Sequence, residues 1–215
     1  TWRPAARQAH GVDPHRPSCV SGAESRLAAA ELLHLTLDKR RTLDEAMELS
    51  ETYGGLEGSD RGFARAIASS ALRHLGWIDE TVQPFLSRPL AATGIEIRAL
   101  IRAGAAQVWF LDVAPHAAVN ATVDAARLTR GARSGGSFLN AALRRVSEAT
   151  PPGETLPAEH IWPAWLRVRL TDSLGTDGAR ALANAQRGEP ALHLTAARDP
   201  AALSALIGGP LLASG

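Results

Sequence analysis

The sequence predicts a mainly α protein, an all-helical domain followed by the start of a small α+β domain. Three observations carry that expectation. The apolar content, 45% of 215 residues, leans on Ala and Leu with few aromatics, which favours helix over strand. Apolar residues recur at helical spacing through residues 23–149. A Pro/Gly-rich break at 150–157 then leads into a helix begun at Pro163 with Leu166, Leu170 and Leu174 and ended by Gly175, a helix at 177–187, an alternating strand at 191–197 and a short helix at 200–207.

Composition sets the outer limits. The length suffices for one or two domains with a real core. Net charge is +1, so nucleic-acid binding has to come from local patches, not from a global basic field. A single cysteine, Cys19, excludes an internal disulfide framework and a multi-cysteine zinc site. It is compatible with a reducing cytoplasm, the expected location. No apolar run approaches the ~20 residues that span a bilayer, and no signal-peptide pattern is present, so no membrane partner is expected. The chain begins at Thr1 and reads as a fragment.

Residues 1–22 mix Pro, Gly, Arg and His without apolar period and read as a flexible head. His10, His15 and Cys19 match no structural zinc spacing, so no metal is expected. Residues 23–37 form a helix with Ala29, Leu32, Leu33 and Thr36 on one face. Thr42 caps a shorter helix carrying Leu43, Ala46, Met47 and Leu49. The glycine-rich stretch 53–58 is a loop and not a phosphate cradle, because no strand precedes it and no Gly-Lys-Ser/Thr follows. Ser59 caps a long stripe from Phe63 through Ile67, Ala71, Leu75, Ile78, Val82 and Phe85 to Leu86, which Gly76 bends or interrupts. Arg61, Arg65 and Arg73 share one broad side of it. They are open to RNA, or to ion pairs with Glu57, Asp60 or Asp79. After a linker at 87–93, Thr93 caps a helix with Ile97, Leu100, Ile101, Val108 and Leu111 inward. Gly104 on that face implies close helix–helix approach. Trp109 reads as core more readily than as a stacking platform.

The chain is organised around residues 112–145. Pro115 suits a first helical position, where its missing N–H needs no partner. Val119, Val123 and Ala126 follow at helical spacing. Gly135 and Gly136 break the pattern, Ser137 is the expected N-cap, and Leu139, Ala142, Leu143 and Val146 make the next stripe. Between residues 125 and 147 stand five arginines, Arg127, Arg130, Arg133, Arg144 and Arg145, and no acid. Arginine clusters are what phosphate backbones select, so these five are the principal RNA-binding candidates. Arg26, Arg61, Arg65 and Arg73 are secondary ones. His116, Asn120 and Asn140 lack a nucleophile or acid nearby in sequence, so no catalytic residue is assigned. They read as polar groups that satisfy helix starts and bridge helices.

Pro115-His116-Ala-Ala-Val119-Asn120, followed by Phe138-Leu139-Asn140-Ala-Ala-Leu143-Arg144, resembles the signature of the NusB-type helical RNA-binding domain. It is most similar to the version at the N-terminus of the RsmB (Sun/Fmu) family of ribosomal RNA cytosine-5 methyltransferases. The tail order is similar as well: Pro163-Ala-Trp165-Leu166, then Asn184 to Pro190, then Leu192-His-Leu194. The resemblance implies a NusB-like domain at 23–149 and a linker at 150–159. It implies an incomplete α+β linker domain at 160–215, ahead of a methyltransferase domain missing from this chain. Full-length members transfer a methyl group from S-adenosylmethionine to cytosine C5. No strand–glycine loop–helix cofactor pocket is legible here, and Cys19 is not in the Pro-Cys or Thr-Cys context of the family nucleophile. The chain therefore reads as the RNA-recognition portion, without cofactor or catalysis of its own, and 16S rRNA is the implied partner. The alternative is a NusB-type transcription antitermination factor that binds RNA together with a ribosomal protein. Such a factor would end near residue 150.

Overall fold

The computed structural model describes residues 22–188 and 194–210. Its centre is α1 (Ala23–Leu37), packed against α4 (Gly58–Arg73), α6 (Ile95–Phe110) and α7 (Pro115–Arg127). Almost every residue from Ala23 to His34 is buried, not one face only. Ala28, Ala29 and Ala30 supply the reason. Their small side chains let neighbouring helices close in from several directions, and a helix without a polar face belongs inside. Leu32 and Leu33 are fully buried, each contributing roughly 1.5–3 kcal/mol.

The polar residues of α1 consequently need internal partners. Arg26 donates from Nε to Gln107 Oε1 at 2.8 Å and from Nη1 to the Gly22 carbonyl at 3.1 Å. Its guanidinium also lies 4.5 Å from the Phe63 ring centre. Gln107, wholly buried, donates onward to Ala103 O and Thr122 Oγ1. One polar chain thus ties α1, α6 and α7. Burial lowers the Arg26 pKa, while Asp60 pulls it back up. Glu31 accepts from Ser50 Oγ at 2.7 Å. That same hydroxyl accepts from the Tyr53 N–H at the start of α3 (Glu51–Gly54).

Thr42 caps α2 (Leu43–Leu49) with a complete capping box to Glu45, as its position predicts. Pro115 opens α7, and Gly104 sits where Leu143 of α8 (Gly136–Glu148) presses in. Three expected caps are elsewhere. The long helix starts at Gly58 (φ 51°) after Glu57, ahead of Ser59. α6 starts after Gly94, and Thr93 Oγ1 donates back to Leu90 O. α8 starts at Gly136, placing Ser137 inside its first turn. Helical backbone begins at or beside a glycine in each case.

Gly76 does not itself break the long stripe. The break is at His74 (φ −107°, ψ 24°), between α4 and α5 (Leu75–Val82). Gly76 is there because a Cβ would overlap the carbonyl oxygens of His160 and Trp162. At this joint the second unit docks. α9 (Pro152–Thr155) and a 3₁₀ turn at Ala158–Ile161 lead into α10 (Ala164–Gln186), broken at Gly175 (φ 71°, ψ 169°) where termination is expected. Trp77, Ile161, Trp162, Ala179 and Ala183 form its small core. Trp77 Nε1 donates to Pro157 O, and Trp162 Nε1 to Gln186 Oε1, both at 2.9 Å. Leu166 and Leu170 pack there, but Leu174 is half exposed. α11 (Pro200–Ile207) is capped by Asp199. The described residues contain no strand. Of the expected strand at 191–197, residues 191–193 lie outside the described residues and 194–197 form no regular element.

Two stability outcomes are expected. Gly76→Ala should destabilise by roughly 1–3 kcal/mol through overpacking, whereas Gly62→Ala, an open helical site, should gain roughly 0.5–1 kcal/mol. Thermal unfolding of the two variants checks this ordering. Gln107→Leu should cost roughly 1.5–3 kcal/mol in urea unfolding, because it strands a buried guanidinium.

Candidate nucleic-acid interface

The arginines divide by whether a carboxylate holds them. Arg98 pairs with Asp38 at 2.7 Å. Arg102 grips Asp79 with two bonds of 2.8 and 2.6 Å. Arg167 meets Glu80 at 3.5 Å, and Arg180 holds Glu159 through two contacts. The Arg180 hydrogen bonds lower the Glu159 pKa. A cleft of about 670 Å³ between α5, α6 and the start of α10 is lined by Arg98, Arg102 and Arg167 together with Asp38, Asp79 and Glu80. Its charges largely cancel.

The candidates between residues 125 and 147 fall into two groups. Arg127, Arg130 and Arg133 occupy the end of α7 and the loop after it. Arg127 pairs with Asp124 at 2.6 Å but is 72% exposed, so the pair is weak, about 0–1 kcal/mol. Arg133 Nη2 donates to Arg127 O at 3.2 Å, satisfying a free carbonyl at the helix end. Arg130 is exposed and has no acceptor among the described residues. Arg144 and Arg145 project from α8 and are exposed. Arg145 Nη1 reaches Phe85 O at 3.2 Å, and Arg144 has no side-chain partner among the described residues. Arg88, which no local sequence signal marks, stands 5.0 Å from the Phe138 ring centre of α8.

Arg26 leaves the list of surface candidates, since its hydrogen bonds are spent inside the core. Arg61, Arg65 and Arg73 take none of the expected partners. Asp79 is engaged by Arg102, and Arg61 instead lies 4.9 Å from the Tyr53 ring centre. Arg61, Arg65, Ser69 and Arg73 recur every fourth residue of α4, a ridge with steps of about 6 Å. The ridge borders a cleft of about 490 Å³ whose walls include Arg65, Ser69, Arg73, His74, Phe110 and Arg187. No carboxylate lines it. Arg187 carries no sequence signal for this site, because nothing local links the end of α10 to α4.

Aromatic rings form the cleft floor. His74 stacks on Phe110 with ring centres 3.8 Å apart, and Trp77 lies near-parallel to both, 5.9 Å from His74 and 6.4 Å from Phe110. His74 Nδ1–H donates to Ser70 O at 2.9 Å. Burial lowers the His74 pKa below 6.5, and the charges of Arg73 and Arg187 push the same way against backbone hydrogen bonds at Ser70 and Arg187.

His116 and Asn120 are exposed, Asn140 is half-buried, and none of the three makes a side-chain hydrogen bond among the described residues. The expected bridging role is therefore not theirs. No group of metal-ligating side chains occurs among the described residues; His10, His15 and Cys19 lie outside them. No described helix is long and apolar enough to cross a membrane.

Comparison with known proteins adds a family. The NusB family model matches residues 23–148, the span from α1 to α8. This chain belongs to the NusB family. Beyond the NusB span, it is similar to ribosomal RNA small subunit methyltransferase B of Xanthomonas campestris pv. campestris, at 36% identity over 166 residues. That match covers 77% of this chain and 37% of the relative. The protein of the same name from Xylella fastidiosa is 35% identical over 155 residues, covering 72% and 35%. The chain thus spans about a third of the length of the curated relatives it matches. A solved structure of antitermination factors NusB and NusE in complex with dsRNA shares the fold, with TM-score 0.54 and 22% identity. It covers 61% of this chain and 99% of that one.

The lowered His74 pKa has a consequence for stability. On acidification the unfolded chain takes up the imidazole proton first. The stability tied to neutral His74 is present above pH 6.5 and is lost as pH falls through the lower folded value. Urea unfolding between about pH 7.5 and about pH 5 should show that loss, and His74→Gln should flatten it.

Proposed function

We propose that this chain is the RNA-recognition portion of a ribosomal RNA small subunit methyltransferase of the B type and does not methylate by itself. One observation carries the reading. A chain of near-zero net charge ties up Arg98, Arg102, Arg167 and Arg180 with carboxylates. It leaves Arg61, Arg65, Arg73, Arg130 and Arg144 without one among the described residues. Unpaired guanidinium groups keep their donors for phosphate, which they grip with two parallel bonds.

The length of the relatives' match supports the same reading. A 166-residue alignment is longer than the NusB span of 23–148 and takes in part of the second unit. S-adenosylmethionine chemistry is assigned to the part of the relatives that this chain does not span. The proposed partner is 16S rRNA, which puts the protein in the cytoplasm. The NusB fold neighbour keeps a second reading in view, an antitermination factor acting with a ribosomal protein.

The test is binding of the purified chain to a 16S rRNA fragment across a salt series, beside an Arg130→Gln/Arg144→Gln variant. The variant should bind more weakly, and each lost phosphate contact should flatten the log–log salt slope by about 0.7–0.9. Absence of RNA binding with specific capture of a ribosomal protein would transfer the assignment to the second reading.

A further inference from the structure

The cleft beside α4 has a neighbouring cavity with which it shares part of its lining. Beyond Phe110 and Arg187 lies a recess of about 400 Å³ walled by Trp77, Trp109, Phe110, Pro151, Gly153 and Glu154. His74, Phe110 and Arg187 line both spaces. One cavity is cationic and the other mainly aromatic. Each is within the ~300–1,000 Å³ range of small-ligand sites. Arg187 stands at their boundary, its guanidinium 5.1 Å from the Trp77 ring centre. Trp109 meets Phe110 edge-on, with ring centres 6.4 Å apart and planes at 72°.

That sequence of surfaces matches one chemical unit, a phosphate joined through a sugar to a planar ring. We propose that the two cavities together bind a single unpaired ribonucleotide, with its phosphate against Arg65, Arg73 and Arg187 and its base against Trp109 and Phe110. The inference rests on the RNA-binding reading above and places an unstacked nucleotide away from the α7–α8 arginines.

Charge fixes the direction of entry. Arg65 and Arg73 face the cleft from α4, and Arg187 from the end of α10. The single carboxylate of the pair of cavities, Glu154 of α9, lines the recess alone. It repels a phosphate from the aromatic end and leaves that end to the base. Aromatic surfaces accept any base by its face, and a base held in a duplex cannot reach them. The site therefore selects single-stranded over paired RNA, with little dependence on sequence. It also straddles the NusB span and the second unit, since Arg187 lies outside residues 23–148. A free-standing NusB domain would lack that third arginine.

The His74 side chain reports occupancy without any substitution, because it lies between Arg73 and Arg187. NMR titration of His74 in the full chain is the experiment, with inorganic phosphate, uridine 5′-monophosphate, a single-stranded octaribonucleotide and the same sequence as a duplex. A bound phosphate offsets the two positive charges, so the nucleotide and the single strand should raise the His74 pKa. The nucleotide should bind at least about tenfold more tightly than inorganic phosphate, one stacked base being worth about 1–3 kcal/mol. The duplex should leave His74 unmoved, and Arg73→Gln/Arg187→Gln should weaken the single strand at least about tenfold. Equal affinity for phosphate and nucleotide overturns the base site, and an unresponsive His74 overturns the whole proposal. If Arg130→Gln/Arg144→Gln weakens RNA while Arg73→Gln/Arg187→Gln does not, the nucleotide site fails and the RNA-binding reading stands. If no RNA binds at all, both fail.

Discussion

The hydrogen bond from Arg26 to Gln107 sits among the packed helices of this molecule and satisfies the charge that α1 carries into the core. α1 is buried almost throughout from Ala23 to His34, so Arg26 and Glu31 are satisfied inside or not at all. Gln107 meets that need from α6 and hands the chain of bonds to Thr122 of α7. With α4, α6 and α7 gathered around one buried helix, each shows its far side to solvent. The far side of α4 is the ridge of Arg61, Arg65 and Arg73. Packing of α4 on α1 and α6 thus leaves those arginines on the side away from the core.

Availability, more than number, separates the two kinds of surface. Both large clefts contain three arginines. In the cleft by α5 and α10 they face Asp38, Asp79 and Glu80, and the field there is small. In the cleft by α4 no carboxylate is present, so phosphate would meet donors that are not already taken. A net charge of +1 is therefore no argument against a nucleic-acid partner. The acids are placed where they neutralise other arginines, which leaves local basic patches intact.

Much of the fold was legible because local chemistry dictates it. Thr42, Pro115, Gly175 and Pro200 each mark a helix boundary through their own backbone or side-chain bonding, and each marks it in the structure. Ser59, Thr93 and Ser137 carry the same cap signal but were displaced by a neighbouring glycine that accommodates the turn. The site was legible only in part. Arg65 and Arg73 could be placed on one side of a helix by period alone. That Arg26 points inward, that Gly76 admits the His160 and Trp162 carbonyls, and that Arg187 joins α4 are all long-range facts. Each depends on residues about 80 or more positions apart in sequence, and spacing rules do not reach that far.

The most direct measurement is ultraviolet crosslinking of a 16S rRNA fragment to the native chain, with the crosslinked peptides identified by mass spectrometry. The account predicts crosslinks in the segments that carry the unpaired arginines, residues 61–74 and 127–145, and at Trp109 or Phe110. Crosslinks concentrated instead around the neutralised cleft of Asp79, Glu80 and Arg102, with those segments unmarked, would contradict it.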